Sequence, residues 1–137
     1  MRNLTRLLVV ACGYVVPVAM LTAQVPPAPG PQQEEQVTIN FTPGSARLSN
    51  IAKAKLDEAA LRMKQDPDIR AQVVGYASAN EGSGQQLADN RASAVKNYLV
   101  TRHGIDPSRI STSGKVSSGG ECPEGGRCAV LTLLVPQ

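Results

Sequence analysis

The sequence predicts an α+β fold: a small mixed sheet with two main helices packed on one face, in the order β-α-β-α-β-β. Three observations predict it. Alternating or continuous apolar stretches of strand length occur at "VTINF", "IRAQVVGYA", "RISTSG" and "CAVLTLLVP". Two longer segments place apolar residues at helical spacing. Turn and stop signals at "TPGSARLS", "DPD" and Gly104 separate these segments.

The N-terminus reads as an export segment. "MRNLTR" is a positive head and "LLVVACGYVVPVAMLT" an uncharged apolar run of 16 residues, followed by Ala23 and a polar, proline-rich stretch. This is the layout of a secretory signal cut after Ala23, the run falling short of the ~20 residues that span a bilayer comfortably. Retention of residues 1–23 as an inner-membrane anchor is the alternative, since ~17 residues can span a thinned bilayer. A lipoprotein-type cut before Cys12 is a third reading. All three export the folded domain, and membrane contact through residues 1–23 requires that they stay uncleaved. "QVPPAPGPQQEEQ", residues 24–36, has no apolar periodicity and reads as a stiff extended linker, spanning roughly 40 Å at ~3.1 Å per residue.

The folded domain is expected over residues 37–137. Its first strand, "VTINF", leads through a turn to a helix capped by Ser49 or Asn50 and running to about Gln65. Ala52, Leu56, Ala59, Ala60 and Met63 form its buried stripe. "DPD" ends that helix and "IRAQVVGYA" is the second strand. Ser83, with Gln86 three residues on, matches a capping box for a second helix that runs to about His103 and stops at Gly104. "RISTSG" and "CAVLTLLVP" are the last two strands.

Composition narrows the function. Aromatics make up 3% of the chain and tryptophan is absent, which disfavours carbohydrate and single-stranded nucleic-acid binding, where rings stack on rings. The formal charge is +3, but Arg2 and Arg6 fall in the export segment, so the remainder is nearly neutral and carries no basic stripe. No nucleic-acid partner is expected. Without Cys12, the cysteines are Cys122 and Cys128 in "ECPEGGRC". A proline and two glycines let this short loop close, so in an oxidising compartment the pair reads as a disulfide; two reduced thiols are the alternative. Two Cys and one distant His do not complete a metal site, and no metal or cofactor is expected.

Arg91 is out of place. Leu87, Arg91, Val95 and Leu99 form one line along the second helix, widened by Ala94 and Tyr98 into its buried stripe. A guanidinium there must reach out to solvent or meet an anion. The candidates are Glu81 in the preceding loop, Asp89, or a ligand carboxylate at the helix N-terminus.

"FTPGSARLS", "GYASANEGS" and "LADNRASAVKNYLVTRHGIDPSRISTSG" occur in that order. Together they resemble the OmpA-like peptidoglycan-associated domain, a small α+β sandwich, over nearly all of residues 37–135. The first is similar to the family's opening strand and loop, with Phe41 in the aromatic place. The second falls at its strand-end "GHTD" loop, here in a "GYAS" form. The third is similar to its second helix and following strand. The resemblance implies non-covalent binding of peptidoglycan through the diaminopimelate of its stem peptides, in the periplasm or cell envelope, outer-membrane associated or anchored by the N-terminus. It implies that an arginine takes the ligand carboxylate and a loop aspartate its ammonium. The arginine falls on Arg91. The aspartate falls on Ser78, whose hydroxyl brings no charge, and Thr42 and Gly44 fall where many relatives carry acids. Glu81 is the loop acid that could supply the missing charge. The implied site is therefore Arg91, Ser78, Glu81 and Phe41.

Two functions stand as expectations. One is a peptidoglycan tether, its affinity weakened where the loop charge is missing. The other is a structural or assembly subunit of a membrane protein complex that keeps the fold without wall binding. Catalysis is not expected. The single histidine, His103, sits at a helix end, where its charge suits the dipole. Asp66 and Asp68 flank a proline in a turn, and no nucleophile elbow or phosphate loop is present.

Overall fold

A computed structural model describes residues 33–123 and 125–136. The export segment 1–23 and residues 24–32 of the expected linker lie outside the described residues. Strand β1 (Gln33–Asn40) is followed by helix α1 (Asn50–Gln65), strand β2 (Arg70–Ser78), helix α2 (Gly84–His103), a 3-10 turn at Pro107–Arg109, strand β3 (Ile110–Ser117) and strand β4 (Cys128–Val135). The sheet order is β1-β4-β2-β3. β4 runs antiparallel to both neighbours, while β2 and β3 are parallel and joined through α2. The expected fold class and element order are what the chain adopts.

Strand ends differ from the expectation by more than one residue at two places. β1 begins at Gln33 rather than Val37, because its ladder with β4 continues to the pair Gln33↔Val135. β3 continues past Gly114 to Ser117, paired with Ser78. Both are edge strands. Backbone pairing holds their polar ends, so apolar alternation underestimates their length.

The helices cover one face of the sheet. Ala52, Leu56, Ala59, Ala60 and Met63 of α1 are buried, as the spacing predicts, against Ile39, Val73, Leu131 and Leu133 among others. The Ser49 hydroxyl caps α1 by accepting from the Ala52 amide at 3.1 Å. α2 lies so close to β2 that a Cβ on Gly75 would run into the Ala88 carbonyl oxygen, which only glycine avoids. Gly104 ends α2 in the left-handed conformation (φ 66°), its amide bonded to the Val100 carbonyl at 3.1 Å. The Ser83–Gln86 capping box does not form. Ser83 stands at the cap position, but its backbone (φ −136°, ψ 46°) is not extended and its side chain makes no capping bond.

Two polar contacts tie the frame together. His103 Nε2 lies 2.6 Å from Asp57 Oδ1, which also accepts from the Tyr98 hydroxyl at 2.8 Å, so the histidine joins α2 to α1. Arg109 donates from Nη2 to the carbonyls of Met63, Asp66 and Ile69 at 2.7–2.9 Å and from Nε to Ile69 at 3.1 Å. It thus satisfies the Met63 and Asp66 carbonyls at the C-terminal end of α1 and ties them to the Ile69 carbonyl just ahead of β2. Arg109→Ala is expected to lower stability by about 2 kcal/mol, since charged hydrogen bonds contribute ~1.5–3 kcal/mol. Chemical denaturation checks this, and an unchanged midpoint would remove the capping role.

Candidate functional site

Three connections meet at one end of the sheet. They are residues 41–49 after β1, residues 79–83 between β2 and α2, and the loop between β3 and β4. The register places Asn40 opposite Cys128, Ser78 opposite Ser117 and Gly75 opposite Ala129, so all three leave from the same end of the sheet.

The third connection is clasped. Cys122 and Cys128 form a disulfide with Cα atoms 5.9 Å apart, as the loop composition predicts. Gly126 turns in the left-handed region (φ 85°), and a Cβ there would collide with Ser117 and approach Ser78. Phe41 donates its amide to the Arg127 carbonyl at 2.9 Å. The clasped loop therefore sits against the start of the first connection and the paired ends of β2 and β3.

Arg91 lies beneath them. One turn or two into α2, it is 0% exposed, and every N–H of its guanidinium finds an acceptor. Nε donates to the Ser45 carbonyl at 2.9 Å. Nη1 donates to the Tyr76 carbonyl and to Glu81 Oε2, both at 2.9 Å. Nη2 donates to the Thr42 carbonyl at 3.2 Å and to Glu81 Oε1 at 2.8 Å. The Phe41 ring, itself buried, lies 5.4 Å from the guanidinium carbon in cation–π range. Of the two side-chain carboxylates expected near Arg91, Glu81 is the one that meets it. Asp89 instead accepts from Gln85 at 3.2 Å.

Glu81 is equally committed. Besides the two-point pair with Arg91, its Oε1 accepts from the Gly44 amide at 2.8 Å and its Oε2 from the Ser78 amide at 2.9 Å. Four donors converge on one carboxylate whose side chain is only 10% exposed. The Arg91 hydrogen bonds, helped by the Gly44 and Ser78 amides against the effect of burial, lower its pKa to about 2. Ser78 contributes through its backbone. Its hydroxyl accepts at 3.4 Å from the Asn80 amide, an Asx-like local turn.

The four residues named from sequence, Arg91, Ser78, Glu81 and Phe41, are thus brought together. A cavity of about 650 Å³ opens beside them, lined by Pro43, Gly44, Glu81, Ser83, Gln86 and Asn90 among others. Of the four, Glu81 alone lines it; Arg91 lies behind Glu81. Sequence reasoning missed the carbonyls of Thr42, Ser45 and Tyr76 and the amides of Gly44 and Ser78. Backbone groups are common to all residues and leave no signal in a sequence.

Known proteins share the fold. The OmpA family model matches residues 40–121. Probable lipoprotein YiaD of Escherichia coli is 32% identical over 78 residues, which cover 56% of this chain and 35% of that protein. The chain thus matches about a third of that relative's length. Among solved structures, the OmpA-like domain of FopA1 from Francisella tularensis is similar with a TM-score of 0.65 and 21% identity, covering 75% of this chain and 73% of that one. The peptidoglycan-associated lipoprotein from Burkholderia pseudomallei gives 0.61 and 20%, covering 70% and 88%. At such identities these two likenesses speak to the fold, while the match over residues 40–121 speaks to descent: the chain belongs to the OmpA family.

Proposed function

We propose that this is an exported, envelope-associated domain that tethers non-covalently to peptidoglycan through the diaminopimelate of its stem peptides, with weakened affinity. Family membership and the likeness to a peptidoglycan-associated lipoprotein support the partner. The relation to a lipoprotein supports the envelope location. The observation that carries the reading is the buried Arg91–Glu81 pair at the wall of the loop-end cavity, where a charged ligand group would approach. The weakened affinity follows from the same pair, because both partners already have their hydrogen bonds filled. It is a binding reading, without a catalytic step.

The test is co-sedimentation of the full chain with purified diaminopimelate-type sacculi. Retention that free stem peptide reverses is the expected result. Complete recovery in the supernatant across the concentration range would instead favour the second reading, a structural subunit of a membrane complex that keeps the fold without wall binding. The saturation of all five Arg91 N–H groups by internal acceptors is the observation on that side.

A further inference from the structure

We propose that Glu81 is an internal carboxylate seated in a cradle that is built to hold a carboxylate, so that an external one binds only by displacing it. For the source of that external group the proposal rests on the wall-binding reading. The cradle has a fixed part and a removable part. Three Arg91 bonds go to carbonyls outside the Glu81 connection, those of Thr42 and Ser45 after β1 and of Tyr76 in β2, and they hold the guanidinium in place. The remaining two N–H groups, one on each Nη, go to Glu81 in the parallel two-point arrangement that any carboxylate accepts. The amides of Gly44 and Ser78 aim at the same oxygens. Four donors therefore converge on one point, and Glu81 is the only member of the group carried on the short connection between β2 and α2.

Glu81 also lines the cavity, together with Gly44. Swinging its side chain toward the cavity would leave the four donors facing an open approach, with one positive charge and room for a planar anion. The carboxylate is thus both the tie that holds residues 79–83 down and the occupant that keeps Arg91 from other partners. A ligand gains from the cradle only what exceeds the loss of Glu81, which sets the natural affinity low.

Chemical rescue tests this without reference to the wall. Thermal melts of the natural chain and of Glu81→Ala are compared in sodium acetate and in sodium chloride at equal ionic strength and pH 7. Acetate is expected to raise the Tm of Glu81→Ala by several degrees in a saturable way, and to leave the natural chain unchanged. If the alanine variant does not fold in chloride, the appearance of a cooperative melt in acetate reads the rescue directly. Sacculus binding by the nearly isosteric Glu81→Gln is expected to tighten about tenfold over the natural chain, equivalent to about 1.4 kcal/mol. For Glu81→Ala, equal melts in acetate and chloride, or no cooperative melt in either, would overturn the proposal, even if the natural chain binds sacculi. Acetate rescue with no sacculus binding by any form would sustain the cradle and remove the wall as its ligand.

Discussion

Arg91→Met is expected to destabilise the domain by about 3–5 kcal/mol, the usual cost of removing one partner from a buried ion pair. The reason is what remains. Glu81 keeps its charge in a nearly closed site, with two of its four donors gone. The carbonyls of Thr42, Ser45 and Tyr76 lose the group that bridged the connection after β1 to β2. For a domain of this size each kcal/mol moves Tm by ~4–8 °C, so the melt should fall by well over ten degrees. Arg91→Lys should also be costly, because an ammonium cannot fork between a carboxylate and three carbonyls. Arg91→Met/Glu81→Leu should recover part of the loss by removing the stranded charge, though the carbonyls stay unpaired. A single variant melting within two degrees of the natural chain would show that the guanidinium is dispensable to the fold.

Acid should act on the same pair from the other side. Glu81 ordinarily titrates at 4.5 and is lowered to about 2 in the folded chain. The unfolded chain therefore binds more protons between those values, and stability rises with pH across that window. The contribution is complete above pH 4.5 and is lost as pH falls toward 2, amounting to about 3 kcal/mol. Glu121 is also lowered to about 2, chiefly by the Ser117 hydroxyl, and adds its own acid limb. Comparing the natural chain with Glu81→Gln isolates the first contribution, since Glu121 is present in both. Their stabilities should differ most near neutrality and converge toward pH 2. Parallel stability curves between pH 5 and pH 2 would contradict the assignment.

The sheet and helices were legible because burial leaves a period in the sequence. The stripe from Ala52 to Met63 is buried where its spacing places it, and so are Arg91, Val95 and Leu99 of the line along α2. Leu87, Ala94 and Tyr98 are only half-buried, and the α2 stripe widens instead through Ala88 and Ala92, whose small side chains let the helix lie close to β2. What alternation could not show is pairing carried by backbone alone, which starts β1 at Gln33 and extends β3 to Ser117. The same division runs through the site. Arg91 announced itself as a charge within an apolar stripe, and Glu81 was one of its few possible partners. The rest of its shell is made of carbonyls from residues 42, 45 and 76, which converge only after folding. The capping box at Ser83 failed for a related reason. The motif fixes residue types, while the turn that ties Glu81 down sets the backbone of the residues after it.

The register of β1 has a mechanical consequence. Gln33 pairs with Val135 at the end of the sheet away from the three loops, and Asn40 pairs with Cys128 beside them. A pull transmitted through the chain ahead of Gln33, resisted by something gripped at the loop end, would run along the strand axis. The β1–β4 ladder would then be loaded in shear, its hydrogen bonds lying across the force and sharing it. Peeling, which breaks such bonds one at a time, would require the load to enter from the side. Under such traction the lifetime of the fold would be set by its unfolding rate rather than by its equilibrium stability.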